Sequence, residues 1–390
     1  MADDFEVAII GAGPAGNFAA ITAAKNKLRT VVFEEHKEIG EPVHCGECLS
    51  QIALDRMGII PPKEVLSFEA KGIRVIFPNG KSVFVKEKGY VLEKHKFEQW
   101  LASEAEKKGA EYRLGTRVQE IKREGEKWAL AMKGGRESAK ILVDASGPFA
   151  FASEKTGLNQ KPQVVIGLQV EMQEIPNEGW IDFYLWPRLA PHGYLWMIPK
   201  SGGRANVGLV TSEIGNVRAY LDQFVKEMGW QGKKVNKTFG GIIPSSGPLP
   251  KTYSDGLMLV GDAAGMTSPL FEGGTGLGMK SGQFAGEVAA QAIAAGDTGA
   301  AFLSKYEKLW KAEFPDYSKL VYGKHKLYSF NDDELNDLVR ALPEDLSTLN
   351  VLDKAGVGLK LLTINSALIA KGAVAALMGV GYSRAKYYGW

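Results

Sequence analysis

Apolar and polar residues alternate along the chain with two different periods, which predict strands and helices in turn. Residues 7–10 form a short apolar run, residues 15–25 form an Ala-rich helix candidate, and residues 30–33 form a second apolar run. The run at residues 257–260 is again fully apolar and precedes a long helix candidate that reaches about residue 295. This alternation predicts an α/β domain that the chain leaves and later re-enters.

The middle of the chain has the short period that is typical of antiparallel strands. Four aromatic-rich segments with Gly and Pro between them predict a mostly antiparallel second domain, at residues 163–174, 180–186, 193–200 and 205–210. Pro78-Asn79-Gly80 predicts a hairpin between residues 68–77 and 81–86. Further strands are predicted at residues 111–114, 118–123, 127–132 and 139–144, and helices at residues 49–57, 89–108 and 213–228.

From Gly299 onward the pattern is helical. Residues 361–380 are long and apolar, but Asn365, Ser366, Lys371 and Gly372 interrupt them. A helix that spans a bilayer needs about 20 apolar residues without such breaks, so the pattern does not predict a transmembrane segment. Two alternatives stay open for these residues: a packed pair of helices, and an interfacial helix on a membrane surface.

The turn after the first strand carries the most specific local signal. Gly11, Gly13 and Gly16 have the spacing G-x-G-x-x-G, and the helix candidate begins directly there. The first glycine permits a tight turn, the second leaves room for a pyrophosphate, and the third allows close packing of helix on strand. Glu34 follows the second strand, where a carboxylate accepts hydrogen bonds from ribose hydroxyls. The segment therefore predicts a site for an ADP-containing dinucleotide.

Composition and charge narrow the function class. The chain has 390 residues, of which 45% are hydrophobic and 24% charged, and a net charge of +2 at pH 7. These values are ordinary for a globular protein of two or three domains. The sequence has no basic block interleaved with aromatic residues, so no binding of nucleic acid is expected. The N-terminus leads directly into the first strand without the pattern of a signal peptide, so a cytoplasmic location is expected.

Cys45 and Cys48 are the two cysteines of the chain. They lie with C-x-x-C spacing in a loop after the second strand. Two cysteines cannot form a disulfide framework, and in a cytosolic chain this spacing favours redox or metal chemistry. A structural zinc site needs four ligands and only His44 is added nearby, so no metal is expected.

Two further glycine turns follow strand candidates, D-A-S-G-P at residues 144–148 and G-D-A-A-G at residues 261–265. In this order and spacing, the three glycine segments resemble those of the flavoprotein superfamily of aromatic hydroxylases, in which all three contact FAD. Three longer segments are similar to the geranylgeranyl reductase family, which includes archaeal digeranylgeranylglycerophospholipid reductases. They are E-I-G-E-P-V-H-C-G-E at residues 38–47, Y-V-L-E-K-H-K-F-E at 90–98 and A-P-H-G-Y-L-W-M-I-P at 190–199.

The resemblance implies a fold and a domain organisation. It implies an α/β, Rossmann-like FAD-binding domain of the glutathione-reductase and hydroxylase type, an inserted antiparallel β-sheet substrate domain and a helical C-terminal region. The FAD-binding domain is expected at residues 1–160 and 240–298, with a β excursion inserted at residues 62–95. The substrate domain is expected at residues 161–239 and the helical region at residues 299–390.

The resemblance also implies roles for individual residues around FAD. Ala15 and Glu34 would contact the adenosine half, Val118 would offer its backbone to the adenine, and Asp262 would bind the ribityl chain. Gly274 would present a backbone N–H at a helix start, where negative charge on the reduced flavin is stabilised. The full set of implied cofactor contacts is Gly11, Gly13, Ala15, Gly16, Glu34, Cys45, Gly46, Cys48, Lys94, Val118, Gly261, Asp262, Gly274 and Thr275.

The activity implied by the resemblance is saturation of isoprenoid C=C bonds by hydride from N5 of reduced FAD. The substrate would be a prenylated lipid or a prenyl diphosphate. Tyr194 and Trp196 alternate with Leu195, so both face one side of a strand and are candidates for a wall beside the prenyl chain. Plain core packing is the alternative for these two aromatic residues.

Cys45 and Cys48 are the candidate catalytic residues. A thiol beside the flavin would orient the substrate or donate the proton, and the pair would also be able to relay electrons as a reversible disulfide. The alternative is a loop pair without catalytic use. The reductant is open between NADPH and ferredoxin, and the latter would make an electron-donor protein a partner. The C-terminal helices suggest peripheral contact with the inner face of the membrane.

Four positions depart from the patterns of the related flavoproteins. Lys94 stands where the family usually has Arg, so bidentate recognition at that position is lost. Ser146 replaces an acidic residue usual in the hydroxylases, which weakens the case for NADPH docking as in those enzymes. Ile198 replaces Phe in the substrate signature. Cys48 follows Cys45 where many members of the family have Gly or Ala.

Three other classes of protein would share the FAD domain. A monooxygenase acting on an aromatic ring would consume oxygen rapidly with NADPH. A quinone-linked electron-transfer flavoprotein commonly adds an iron–sulfur module, which two cysteines cannot ligate. A non-catalytic flavin-binding or membrane-scaffold protein would turn over no acceptor. The resemblance favours the prenyl reductase over these three.

Overall fold

The structure is a computed structural model that describes residues 4–348, 351–388 and 390. The strands, in chain order, are β1 Asp4–Ile10, β2 Thr30–Phe33, β3 Cys48–Ser50, β4 Leu66–Ala70, β5 Ile73–Ile76, β6 Ser82–Val85, β7 Gly89–Leu92, β8 Glu111–Arg113, β9 Val118–Glu124, β10 Lys127–Met132, β11 Gly135–Asp144, β12 Val164–Met172, β13 Ile181–Tyr184, β14 Tyr194–Pro199, β15 Ala205–Thr211, β16 Val235–Pro244, β17 Tyr253–Ser254 and β18 Leu257–Leu259.

The α-helices follow the same chain-order numbering. They are α1 Pro14–Lys25, α2 Gln51–Met57, α3 Lys94–Glu106, α4 Phe151–Thr156, α5 Val217–Glu227, α6 Thr275–Ala295, α7 Ala300–Glu313, α8 Tyr317–Leu327, α9 Asp332–Ala341, α10 Val351–Asn365, α11 Ala367–Lys371 and α12 Ala373–Tyr382. Together with the strands they make a mixed α/β protein with a helical C-terminal region, as the sequence predicts.

The first sheet is the parallel sheet of the predicted α/β domain. Its strand order is β17-β18-β11-β1-β2-β8, and β10 and β9 extend it from β11. The central neighbours β18, β11, β1, β2 and β8 pair in parallel. Val7 and Ala8 of β1 point to opposite faces of the sheet and are only 0% and 1% exposed. The apolar run of β1 is therefore explained by burial of the strand on both faces.

The second sheet contains the four aromatic-rich strands, but it is larger than the sequence predicts. Its order is β16-β12-β15-β14-β13-β5-β6. The hairpin β5–β6 joins this sheet through parallel pairing of β5 with β13, instead of staying with the α/β domain. β3, β7 and β4 form a separate three-stranded sheet. The residues expected as one inserted excursion are thus divided between two sheets.

Strand β16 was not predicted, and it crosses the expected domain boundary at residues 239 and 240. Its Gly240-Gly241 pair resembles a loop in sequence. In the structure, a Cβ at Gly240 would lie 2.5 Å from the carbonyl oxygen of Gly167 on β12. Glycine is needed there because the two strand backbones approach closely.

Two predicted helices begin later than expected because their first residues form strands. β3 and β7 pair with each other in antiparallel fashion, at the starts of the segments predicted as helices 49–57 and 89–108. Helix α2 then begins after Ser50, whose hydroxyl accepts a hydrogen bond from the Ala53 N–H at 3.1 Å. The predicted helix 213–228 likewise starts late, because one 3₁₀ turn precedes α5.

The C-terminal helices α10, α11 and α12 break where the sequence predicts, at Ser366 and Gly372. Leu361, Leu368 and Ala376 are buried in a cluster shared with α8 and α9. Across the described residues, the helices are each too short or too polar to cross a membrane. The breaks therefore divide a long apolar segment into pieces that pack on the rest of the chain.

Candidate functional site

The glycine turn between β1 and α1 has the geometry that its sequence predicts. Gly11 has a φ of +101°, and a Cβ at Gly16 would lie 1.9 Å from the Gly11 carbonyl oxygen. The first position requires glycine for its backbone conformation and the second for the packing of α1 on β1. A Cβ at Gly13 would meet no atom within 4 Å. Because Gly13 is the N-cap of α1, open space lies at the positive end of this helix.

The turn after β11 lies directly against this glycine turn. The Ala145 N–H donates to the Ile10 carbonyl at 2.9 Å, and a Cβ at Gly11 would lie 2.4 Å from the Ala145 carbonyl oxygen. Asp144 is fully buried, and its carboxylate accepts backbone hydrogen bonds from Ser146 at 3.0 Å and Ala152 at 2.7 Å. The Asp144 carboxylate thus stabilises the turn, and the groups of the turn that a ligand can contact are those of its backbone.

Glu34 lies at the carboxyl end of β2, beside the glycine turn. Its Oε2 accepts a hydrogen bond from the Ala12 N–H at 2.9 Å. Its Oε1 accepts one from the His36 N–H at 2.9 Å and lies 2.7 Å from the His36 ring Nδ1. A carboxylate has about four acceptor positions, so Glu34 retains a position for a ribose hydroxyl, on Oε2. Its carbonyl accepts from the Thr116 N–H at 2.8 Å, which brings the start of β9 with Val118 to this end of the sheet.

Ala15 connects the first glycine segment to the third. A Cβ at Gly261 would lie 2.9 Å from the Ala15 Cβ, and a Cβ at Gly278 on α6 would lie 3.5 Å from it. A Cβ at Gly282, one turn further along α6, would lie 2.0 Å from the Ala15 carbonyl oxygen. Glycines on α6 therefore let α1 pack closely, and the three glycine segments meet at one edge of the first sheet.

Asp262 lies beside the N-terminus of α6. Its Oδ1 accepts from the Thr267 hydroxyl at 2.9 Å, and a Cβ at Gly274, the N-cap of α6, would lie 3.3 Å from the same oxygen. Burial raises the pKa of Asp262 despite the opposing effects of Thr267 and of the Lys94 charge. Lys94 is buried and paired with Glu98, one turn further along α3.

The arrangement fits the cofactor that the sequence resemblance implies. Open space at Gly13, the Glu34 carboxylate and the Asp262 carboxylate suit a pyrophosphate, a ribose and a polyol chain in turn. The Tyr317 hydroxyl is buried without a hydrogen-bond partner among the described residues, and it is close enough to Asp262 for the carboxylate to raise its pKa further, after burial. A donor without a partner at this point is the feature that a polar ligand would satisfy.

The loop with the two cysteines lies beside these residues. Cys45 Sγ accepts from the Glu47 N–H at 3.2 Å, and the Cys48 thiol donates to the Gly46 carbonyl at 3.7 Å. Both thiols are free, and burial raises the pKa of each above its ordinary value. The charge of Lys94 opposes this rise at Cys45. Both sulfurs are therefore protonated near neutral pH.

A buried ion cluster, formed by Glu47, Glu93, Glu171, Lys200 and Arg204, holds the loop to the second sheet. The Lys200 Nζ lies 2.7 Å from Glu47, 3.2 Å from Glu93 and 3.7 Å from Glu171. Arg204 lies 2.6 Å from Glu93 and 3.1 Å from Glu171. The side chains of Glu47 and Lys200 are only 2% and 3% exposed. Burial at this depth makes the pairing of every charge important for stability.

Glu47 is the member of the ion cluster that belongs to the cysteine loop. It has a φ of +72°, and its carboxylate also accepts from the Asn206 side-chain amide at 2.7 Å and from the Lys94 backbone N–H at 3.0 Å. One carboxylate between two cysteines is thus bound by β15, by the end of β14 and by the first residue of α3. These bonds fix the backbone that carries Cys45 and Cys48.

One face of β14 turns toward the same loop. The Trp196 Nε1–H donates to Gln169 Oε1 at 2.9 Å, and the Gln169 amide nitrogen donates to the Cys45 carbonyl at 2.7 Å. Tyr194 and Trp196 are both buried, with ring centroids 5.7 Å apart. The prediction that these two side chains share one face is confirmed, and the second of them is connected to the cysteine loop through a single side chain.

We call Phe183, Tyr194, Trp196 and Phe271 the aromatic wall. The ring centroid of Phe183 lies 5.0 Å from that of Tyr194 and 5.3 Å from that of Phe271, and the centroids of Tyr194 and Phe271 are 5.4 Å apart. Phe271 belongs to the segment that leads into α6. The aromatic wall therefore extends from the cysteine loop to the residues that precede α6.

Known proteins match the chain over nearly its full length. The model of the lycopene cyclase protein family matches residues 6–336. Digeranylgeranylglycerophospholipid reductases of Methanocaldococcus jannaschii and Methanococcus vannielii are 36% and 34% identical, each over 90% of this chain, and 93% and 94% of the relatives are covered. The chain belongs to the digeranylgeranylglycerophospholipid reductase family.

Structural comparison agrees with this family assignment. A geranylgeranyl bacteriochlorophyll reductase-like protein from Thermoplasma acidophilum is similar with a TM-score of 0.87 and 30% identity, over 96% of this chain and 99% of the other. The family resemblance seen in the motifs is thereby confirmed. The contacts of individual residues with FAD or substrate, and the division into domains, stay predictions.

Sequence reasoning missed the ion cluster and Gln169. Glu47 was noted only as part of a motif. The other four members of the cluster are residues 93, 171, 200 and 204, which lie far from Glu47 in the sequence, and of these Lys200 pairs with Glu47 directly. The available signal was the placement of Lys200 and Arg204 at the ends of two apolar strands, where charged residues are seldom buried without partners. The described residues contain no group of three or more His, Cys, Asp or Glu side chains suited to a metal ion.

Proposed function

We propose that the protein is an FAD-dependent oxidoreductase that saturates the C=C bonds of a geranylgeranyl chain. The family assignment supports this activity over 90% of the chain. The observation in the molecule that carries it is the hydrogen-bonded path from the Cys45 carbonyl through Gln169 to Trp196, because it joins the cofactor side to an apolar aromatic surface. An enzyme that reduces an isoprenoid chain needs both surfaces side by side.

The residues named for FAD divide its binding among several backbone and side-chain groups. Gly13 at the start of α1 would hold the pyrophosphate, Glu34 the adenosine ribose, and Asp262 the ribityl chain. The N–H groups of Gly274 and Thr275 would face the flavin ring at the start of α6. When bound and reduced, FAD supplies the hydride for the double bond, and this is chemistry that no side chain can supply.

The protein's own task is then to bind and orient an apolar chain without water. The aromatic wall offers a buried apolar surface for it, and the substrate we propose is a prenylated lipid or a prenyl diphosphate. Cys45 and Cys48 would face the chain as protonated thiols, which suits orientation of the substrate or proton donation. A disulfide relay requires a thiolate, and burial disfavours that form at both sulfurs.

We propose that residues 161–239, which form most of the second sheet, are the inserted substrate domain and that residues 1–160 and 240–298 bind FAD. The hairpin β5–β6 and the end of β16 extend that sheet from these two FAD-binding ranges. The reductant is NADPH or a ferredoxin, since both can deliver electrons to FAD. Anaerobic bleaching of the flavin with each donor in turn distinguishes them: only the physiological donor reduces the flavin faster than turnover requires.

Peripheral binding to the inner face of the membrane from the cytoplasm completes the proposal. The outer sides of α10 and α12 expose Leu352, Leu359, Leu362, Val374 and Met378, each between 47% and 81% accessible. A lipid substrate has to be taken from a bilayer, and exposed apolar side chains on one helical region would rest on it. Vesicle co-sedimentation should weaken in Leu359→Glu while FAD content stays unchanged.

The activity is tested with product mass. The protein is reduced anaerobically with dithionite and mixed with geranylgeranylated lipid or with geranylgeranyl diphosphate. The product is then extracted, and its mass is measured by mass spectrometry. The proposal expects mass gains in steps of two hydrogens. Unreduced lipid in both mixtures, with oxygen uptake on an aromatic compound instead, would move the assignment to a monooxygenase.

A further inference from the structure

Glu272 is a carboxyl group in an unusual place. It lies in the segment between Leu270 and α6, has a φ of +50°, and its side chain is only 5% exposed. It precedes Gly274 by two residues, a distance of at most about 7 Å along the chain. A non-glycine residue in the left-handed region is uncommon and is often associated with function. None of the roles described above uses this group.

The surroundings of Glu272 are aromatic, with one cation. Its Oε1 lies 3.4 Å from the Lys324 Nζ on α8. Its Oε2 is buried and has no hydrogen-bond partner in the described part of the chain. The hydroxyls of Tyr194 on β14 and of Tyr328, the residue directly after α8, face the carboxyl, but they donate to the carbonyls of Phe271 and Leu270.

Such surroundings favour the protonated form of the carboxyl. Burial raises the pKa of Glu272 to about 7, although Lys324 and the nearby Tyr194 hydroxyl act in the opposite direction. A protonated carboxyl has an O–H to donate, and the Oε2 of Glu272 has no hydrogen-bond partner among the residues that the structure describes. A general acid works best when its pKa lies near the working pH.

We propose that Glu272 is the general acid that protonates the substrate double bond. The inference rests on the proposed reductase activity. It assigns the proton to Glu272, which leaves orientation of the substrate to the thiols of Cys45 and Cys48. Tyr194 of the aromatic wall lies next to the carboxyl, and the segment of Glu272 continues into Gly274, the N-cap of α6. Glu272 thus stands between the surface proposed for the prenyl chain and the start of α6.

The step balances as follows. A hydride from the reduced flavin forms a C–H bond at one carbon, and the π electrons of the double bond take the proton of the Glu272 carboxyl at the other carbon. The carboxyl O–H bond breaks, the flavin is oxidised by two electrons and the alkene is reduced by two. The Glu272 carboxylate regains a proton from solvent, with the Lys324 ammonium beside it. The donor that re-reduces the flavin supplies the electrons for the next turnover.

The test uses the FAD-loaded full chain and the variant Glu272→Gln. Dithionite-reduced protein is mixed anaerobically with geranylgeranylated lipid, and flavin reoxidation and product mass are followed together. Reoxidation should be slower by about 100-fold or more in the variant, while FAD content and dithionite reduction stay as in the wild type. The matched control is Glu137→Gln, which removes another carboxylate with a buried, unpartnered oxygen, at the far end of β11.

The pH profile separates a proton donor from a merely structural residue. The wild-type reoxidation rate should fall as pH rises through about 7, because the required form is protonated, and in Glu272→Gln this limb should be absent. Lys324→Gln, which keeps the carboxyl, should move the limb to higher pH by about 1 unit or more, since a neighbouring cation lowers a carboxyl pKa. If Glu272→Gln does not fold, the pH limb of Lys324→Gln tests the role of Glu272.

Two results would overturn the inference. One is a Glu272→Gln rate within threefold of the wild type. The other is a pH limb that is unchanged in Lys324→Gln. Both results can be distinguished from failure of the reductase proposal itself. In that case no prenyl lipid would reoxidise the flavin of the wild type or of the control Glu137→Gln.

Discussion

The ion cluster around Lys200 gives the sharpest prediction about stability. Lys200 is 3% exposed and lies within 3.7 Å of three carboxylates, Glu47, Glu93 and Glu171. Replacing it by Met keeps most of the side-chain volume and removes the charge. Glu47 then keeps its bonds from the Asn206 amide and the Lys94 backbone N–H. The cluster is left with three carboxylates, the buried Glu47 and Glu171 and the partly buried Glu93, and with Arg204 as its one cation.

The magnitude follows from this imbalance. Removing one partner of a buried ion pair typically costs about 3–5 kcal/mol, because the other charge stays buried and uncompensated. Lys200→Met should therefore lower the free energy of unfolding by about 3–5 kcal/mol. Adding Glu47→Gln removes the carboxylate that lies 2.7 Å from the lysine, so the double variant should lose less than the sum of the single variants, by about 1–3 kcal/mol.

Urea unfolding of the FAD-loaded protein, followed by far-UV circular dichroism and by tryptophan fluorescence, measures these values. The control is Lys107→Met, which breaks an exposed pair with Glu104 at 2.6 Å and should cost at most about 1 kcal/mol. Additive effects of Lys200→Met and Glu47→Gln, or a cost of Lys200→Met no larger than the control's, would refute the role given to the ion cluster.

Three further predictions concern single positions. Gly13→Ala should fold like the wild type but bind FAD more weakly in fluorescence titration, because its Cβ would occupy the open space proposed for the pyrophosphate. Gly16→Ala, in contrast, should unfold at a lower urea concentration, because its Cβ would lie 1.9 Å from the Gly11 carbonyl oxygen. Cys45→Ala should keep FAD but reduce double bonds more slowly, and unchanged turnover in this variant would remove the thiol from the mechanism. Cys48→Ala should slow turnover to the same extent only if the two thiols act together as a dithiol relay. Burial acts to raise the pKa of Glu93, but the hydrogen bonds from Arg204 and Ser67 and the charges of Lys200 and Arg204 together outweigh it and lower the pKa to about 2. The contribution of Glu93 to stability should therefore be present above pH 4.5 and lost as pH falls toward 2. Glu93→Gln should flatten this part of the unfolding profile, and an unflattened profile would contradict the assignment.

The fold was predictable where the information is local. The positive φ of Gly11, the contact of Gly16 with the preceding turn and the end of α6 at Ala295 all follow from short segments, because tight turns and helix caps depend on neighbouring residues. Strand β16 could not be predicted in this way. Its two central glycines have the composition of a loop, and the close approach of β12, which explains Gly240, is a contact between distant parts of the chain.

The residues of the candidate site also differ in whether short sequence segments predict them. The glycine segments lie in recognisable motifs, whereas the residues that hold the cysteine loop come from four separate segments, at residues 93–94, 169–171, 200 and 204–206, that meet only in three dimensions. Glu272 stands in a conspicuous segment, P-L-F-E-G-G-T-G, yet nothing in the sequence shows that Lys324 and Tyr194 surround it. Burial, and hence the shifted pKa of its carboxyl, is a property of the assembled fold.

The measurement that tests the account most directly is anaerobic and needs one turnover. The FAD-loaded protein is reduced with a limiting amount of dithionite, geranylgeranylated lipid is added, and flavin absorbance and lipid mass are recorded in the same sample. The account predicts that the flavin is reoxidised at the rate at which product forms, with one double bond saturated for each flavin. A flavin that stays reduced until oxygen or a quinone is admitted would contradict it.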